Sequence, residues 1–172
     1  MGLKKIVFLI AQEGFQDIEL FDTKDELSKK GIDSQIASFT TDAAHGKLGA
    51  VVMPDLTFDE INPDFYVGII IVGGPGATSL QNKIIYDVLH KFEKQNKLVG
   101  AICYSGAVLA KAGITRGKKS TVWKSEETIR ILKENGVNFV DEDVVVDGNI
   151  ITANGPKAAR QFGQEIAKFL KG

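Results

Sequence analysis

One cysteine stands in the whole chain, and a single thiol cannot close an intramolecular disulfide, so the fold does not depend on an oxidising compartment. An excess of one charge is also missing. The 21 Lys and Arg residues against 22 Asp and Glu give a formal net charge of -1, which offers no electrostatic footprint for nucleic acid. Lysines alternate with acids in the pattern of a solvated face. Long apolar runs are lacking too: the opening MGLKKIVFLIAQEG ends its run after six residues, at Gln12 and Glu13. That is too short for a secretory leader or a membrane span, and Ile6 stands where a myristoylation signal needs Ser or Thr. The chain therefore reads as cytosolic, with no membrane and no nucleic-acid partner.

What is present is an ordinary globular composition, 44% hydrophobic and 25% charged. A chain of 172 residues fits one domain, residues 1–172, and no repeat, linker or low-complexity tract divides it. KKIVFLI at 4–10, YVGIIIV at 66–72 and KLVGAIC at 97–103 are continuous apolar runs, suited to parallel strands covered on both faces. A helix over 16–30, closed by Gly31, leads to the strand DSQIASF at 33–39. Further helices follow at 83–95, from Ser105, and from the N-cap Ser125 to Gly136. VVVDGNIIT reads as a hairpin whose Asp147 and Gly148 suit a type I′ turn, and the last helix opens at Pro156. Alternating strands and helices indicate an α/β fold, a mostly parallel sheet with helices on both faces. Its chemistry belongs at the carboxyl ends of the strands.

A lone cysteine after an apolar strand is commonly an inert small hydrophobe. Here the surrounding Ala101-Ile102-Cys103-Tyr104-Ser105-Gly106 has the small residues that a nucleophile elbow requires, because strand and helix must approach closely around a strained nucleophile. A helix starting at 104 or 105 would aim its unpaired N–H groups at the sulfur, favour the thiolate over a thiol of pKa ~8.5, and hold an oxyanion. Gly73-Gly74-Pro75-Gly76 is either a plain tight turn or a second set of accessible amide donors. It is no P-loop, because no Gly-Lys-Ser/Thr follows. FQDIEL places Asp17 and Glu19 in the first turn of a helix at the same sheet edge, where acids ordinarily complement the dipole.

Taken together, KIVFLIAQEGFQDIEL, IIIVGGPGA, LVGAICYSGAVLAKAGITRGKK and VVVDGNIITANGP make the chain resemble the PfpI family over nearly its whole length. The resemblance implies a flavodoxin-like three-layer sandwich and a dimer or larger assembly. It also implies a reactive Cys103 paired with a protonated Glu19, and oxyanion donors at Gly73 or Gly74 together with Tyr104. Trp123 and Ser105 become pocket candidates. No cofactor or metal is expected. Activities of that family are cofactor-free glyoxalase, repair of glycated groups, peptidase and protection against oxidative stress. The sequence departs from the pattern at Tyr104, where peptidase-like members carry histidine, and at Trp123, where another branch does. His45 and His90, the only histidines, fall in a polar loop and on an outward helical face.

The expected function is thus attack of Cys103 on a reactive aldehyde or a glycated substrate, with Glu19 moving the proton. A non-catalytic stress sensor with an oxidisable Cys103, and a peptidase-like hydrolase, are the alternatives. Phe15, Leu20 and Phe21 crowd the first helix, which predicts an apolar surface shared between two copies, with Phe15 or Phe21 in the contact.

Overall fold

In the computed structural model, which describes residues 4–172, the apolar runs become the inner strands of one large sheet. In chain order β1 (Lys5–Leu9) and β2 (Glu13–Phe15) precede α1 (Asp17–Ser28) and β3 (Asp33–Ser38). The short strands β4 (Ala44–Gly46), β5 (Val51–Val52) and β6 (Leu56–Thr57) lead to β7 (Gly68–Ile71) and α2 (Lys83–Lys94). Then come β8 (Leu98–Ile102), α3 (Ser105–Ala112), β9 (Lys119–Ser120), α4 (Glu126–Glu134) and β10 (Asn138–Phe139). β11 (Val144–Asp147), β12 (Ile150–Ala153) and α5 (Ala159–Lys171) complete the chain.

The seven-stranded sheet runs β11-β12-β8-β7-β1-β3-β6, and only β11 is antiparallel to its neighbour. Side chains of β1 alternate between the two faces: Ile6 and Phe8 join Leu20 and Leu27 of α1 and Phe162 and Ile166 of α5. Val7 and Leu9 join Ile85 and Leu89 of α2 and Val108 of α3. Two buried clusters, one on each face, make the expected flavodoxin-like three-layer sandwich. Order reverses at β1, so the carboxyl ends of β1, β7 and β8 bound a crevice of the kind that open α/β sheets use for ligands. Among the described residues no helix is long and apolar enough to cross a membrane.

Three details depart from the sequence reading. The hairpin pairs Asp147 with Ile150, so its turn residues are Gly148 and Asn149, and only Gly148 has positive φ. A type I′ turn needs positive φ at both positions and is therefore absent. Residues 13–15, which fall between the expected strand at 4–10 and helix at 16–30, form β2 of a small sheet ordered β2-β4-β5. Phe15 belongs to β2 and is wholly buried in the core, so it cannot contribute to a contact between copies.

Candidate active site

β8 ends at Ile102 and α3 begins at Ser105, leaving Cys103 and Tyr104 to reverse the chain. Cys103 sits at φ 63°, a left-handed conformation that costs a side-chain-bearing residue on the order of 1 to 3 kcal/mol. Its neighbours hold it there: its N–H donates to Ala153 O at 2.9 Å, and its carbonyl accepts from Trp123 N–H at 3.0 Å. Gly106 lets α3 sit close, since a Cβ at that position would lie 2.7 Å from Thr121 O. Ser105 is buried, and its hydroxyl donates to Val72 O at 2.8 Å. It fastens the helix start to the end of β7 and does not line the cleft, contrary to expectation.

The carboxyl partner comes from α1. Gln16 caps this helix by accepting from Ile18 N–H at 2.7 Å and Glu19 N–H at 3.3 Å, while its own N–H donates to Gly73 O at 3.0 Å. α1 is thereby locked to the loop after β7. Glu19 is wholly buried. Its Oε1 accepts from Gly73 N–H at 2.9 Å, while Oε2 has no hydrogen-bond partner. Gly73 also lets Glu19 approach Cys103: a Cβ there would lie 2.6 Å from Cys103 Cβ and 2.7 Å from Glu19 Oε1. Because the Gly73 amide is committed to Glu19, the amides left to face the sulfur are those of Gly74 and Tyr104, which narrows the expected set of donors.

Electrostatics correct a second expectation. Burial pushes Glu19 up to about 7, against the opposing pull of the Cys103 thiol, the Gly73 amide and the Lys47 charge. Burial, then the Glu19 charge, push the Cys103 thiol up to about 12, although the Tyr104 and Gly74 amides pull it down. A thiol lowered by the helix N-terminus alone does not describe this site. Two anions cannot share so dry a pocket, so a Cys103 thiolate requires that Glu19 keep the remaining proton. Cys103 is also enclosed, at 8% exposure.

Above the thiol opens a cleft of about 260 Å³, walled by Gln16, Lys47, Gly74, Pro75, Tyr104, Trp123 and Pro156. Trp123 is 51% exposed, and its ring lies over Gly155, where a Cβ would approach to 3.0 Å. Trp123, Gln16 and Pro156 also line a larger neighbouring groove of about 580 Å³. Tyr104 turns its hydroxyl to Gln81, whose Nε2 donates at 2.5 Å. Neither histidine reaches the cleft. His45 meets Glu13 at 2.9 Å, and His90 is only half exposed because its Nε2 lies 2.7 Å from Ala112 O. No cluster of metal-ligating side chains occurs among the described residues.

Sequence reasoning missed Gln16, Lys47 and Pro156. Gln is not a favoured N-cap, Lys47 stands in a polar glycine loop without periodicity, and Pro156 reads only as a helix start. Asp17, read as a dipole complement, accepts from Leu48 N–H and Ala50 N–H, each at 2.8 Å, and so fixes the loop that carries Lys47.

A three-layer sandwich with a strained cysteine on the turn between strand and helix, and a buried glutamate beside it, defines a class of α/β proteins. Residues 4–169 match the DJ-1/PfpI family, and the chain belongs to it. It is 36% identical over 169 residues to Deglycase PfpI of Pyrococcus furiosus, covering 97% of this chain and 99% of that one. It is 29% identical over 170 residues to the glutathione-independent glyoxalase DJR-1.2 of Caenorhabditis elegans, covering 98% and 90%. The crystal structure of a ThiJ/PfpI domain protein from Brachyspira murdochii superimposes with a TM-score of 0.94 at 27% identity, covering 99% of this chain and 98% of that one.

Proposed function

We propose that the protein is a cysteine-dependent enzyme acting on reactive aldehydes or their adducts without a cofactor, in the manner of a glyoxalase or deglycase. The observation that carries this reading is the juxtaposition of strained Cys103, the Gly74 and Tyr104 amides, and a buried Glu19 beside the thiol. The names of the relatives from P. furiosus and C. elegans support the same substrate class.

In this scheme Cys103 Sγ adds to the aldehyde carbon of a 2-oxoaldehyde, and the new oxyanion accepts from the Gly74 and Tyr104 amides. Glu19 takes the Cys103 thiol proton as the C–S bond forms and passes it to that oxygen. It then carries the hydrogen of the former aldehyde carbon, as a proton, to the adjacent carbon, while the electron pair passes through an enediol. The ketone becomes an alcohol and the aldehyde a thioester, so oxidation and reduction balance within the substrate. Water cleaves the thioester, releasing a 2-hydroxy acid and the thiol. An adduct of the same aldehyde with an amine would enter by the same attack, with the amine leaving. Peptide cleavage is less suited to this cleft, since no imidazole lines it to protonate an amide leaving group. The proposed setting is the cytosol.

The test is consumption of methylglyoxal with lactate measured as product, in wild type, Cys103→Ser and Glu19→Gln. Wild type is expected to turn over, and each variant to lose at least ~100-fold in kcat, the scale of a lost nucleophile or proton carrier. Unchanged turnover in Cys103→Ser would refute the scheme.

A further inference from the structure

Lys47 is the single charged side chain among those lining the Cys103 cleft. Its backbone is built in, not loosely placed: the Lys47 N–H donates to Phe15 O at 2.8 Å, and Asp17 grips Leu48 and Ala50 on either side of Gly49. Asp17 is itself buried at the start of α1, the helix that carries Glu19. The hairpin between β4 and β5 thus has its tip fixed against the catalytic helix. Among the described residues no carboxylate lies within salt-bridge distance of the Lys47 ammonium. Its charge nevertheless reaches the buried Glu19 and favours the ionised form. Glu127, which acts on Tyr104 from α4, is not among the lining residues.

An unpaired cation on the wall of a cleft that also presents inward-facing amides favours an anionic group on the ligand. A neutral 2-oxoaldehyde would make no use of that charge. We infer that Lys47 is a specificity residue, and that the preferred substrate is a 2-oxoaldehyde carrying a carboxylate on its far end, with the aldehyde at Cys103 and the carboxylate at Lys47. A carboxylate matches one ammonium, whereas a phosphate dianion would leave a charge uncompensated. This assignment rests on the cysteine-enzyme reading above. It adds no step to that chemistry, since the carboxylate only orients the substrate.

Charge selection is measured separately from turnover by alkylating Cys103 with iodoacetate and with iodoacetamide, which differ in charge but share a leaving group. The ratio of the two rates cancels any change in thiol ionisation. Relative to a small neutral thiol, wild type is expected to favour iodoacetate by roughly threefold to fivefold, the scale of a partly exposed charge pair. The preference should vanish in Lys47→Met, survive in Lys47→Arg and fade in high salt. The same ratio in wild type and Lys47→Met would overturn the inference. Turnover then compares 4,5-dioxopentanoate with neutral 2-oxopentanal. A lower KM for the anion that is lost in Lys47→Met supports the assignment, and equal KM values in wild type overturn it. If wild type consumes neither aldehyde yet keeps its iodoacetate preference, the enzymatic reading fails and the anion preference stands.

Discussion

At the scale of single residues, the decisive pair is Glu19 and Cys103, and its behaviour was only half legible in the sequence. Small residues around Cys103 announce the strained turn, because sterics are local. Protonation is not local: it depends on Gly73, Gly74 and burial by elements far away in the chain, which no spacing rule near Cys103 encodes. The pair has a consequence for stability. Unfolded, Glu19 returns to 4.5, whereas folded it titrates at about 7. Between those values the unfolded chain has released a proton that the folded protein still holds, so stability falls as pH rises through this window. Glu19→Gln removes that slope. Chemical denaturation across pH 4 to 8 is therefore expected to show the variant gaining on wild type above pH 4.5, reaching a difference on the order of 3 kcal/mol by pH 8. Parallel curves would mean that Glu19 is not buried as described.

Among the elements, α1 is the part on which the site depends most. Its start is locked to the loop after β7 through Gln16, and its far half packs on α5 through Gly163, where a Cβ would lie 2.8 Å from Glu26 Cβ and 3.0 Å from Thr23 O. Arg160 of α5 adds bonds to Asp22 at 3.2 Å, Asp25 at 2.9 Å and Glu26 at 3.1 Å. The pairs with Asp22 and Asp25 are part-exposed and add little, whereas the Glu26 carboxylate is largely buried, so packing at Gly163 and this one enclosed pair hold the helices together. Gly163→Val is expected to force α1 and α5 apart and lower stability by about 1 to 3 kcal/mol, with a further fall in the proposed aldehyde turnover as Glu19 shifts. A thermal midpoint equal to that of wild type would show that the contact is slack. The parallel strands and amphipathic α2 and α5 were readable because periodicity follows from burial on one face. β2, β4 and β5 were not, since strands of two or three residues carry too little pattern to stand out from a polar loop.

At the scale of the whole molecule, α1 also presents apolar surface outward: Ile18 is 39% and Phe21 42% exposed, three residues apart on one helical face. A two-fold contact that turns this face toward its own copy would cover both side chains and bring a second chain to the rim of the groove that Ile18 helps to line. Sedimentation equilibrium at micromolar concentration is expected to give at least twice the 18.7 kDa chain mass, with Phe21→Asp shifted toward monomer. A wild-type protein that stays at the monomer mass would dismiss the interface. Trp123 lends the same molecule a means of observation. It is the only tryptophan in the chain, half exposed, and it forms a wall of both the cleft and the larger groove. Excitation of the indole therefore samples one place only, and the emission of the unlabelled protein becomes an optical gauge of what occupies the space above Cys103.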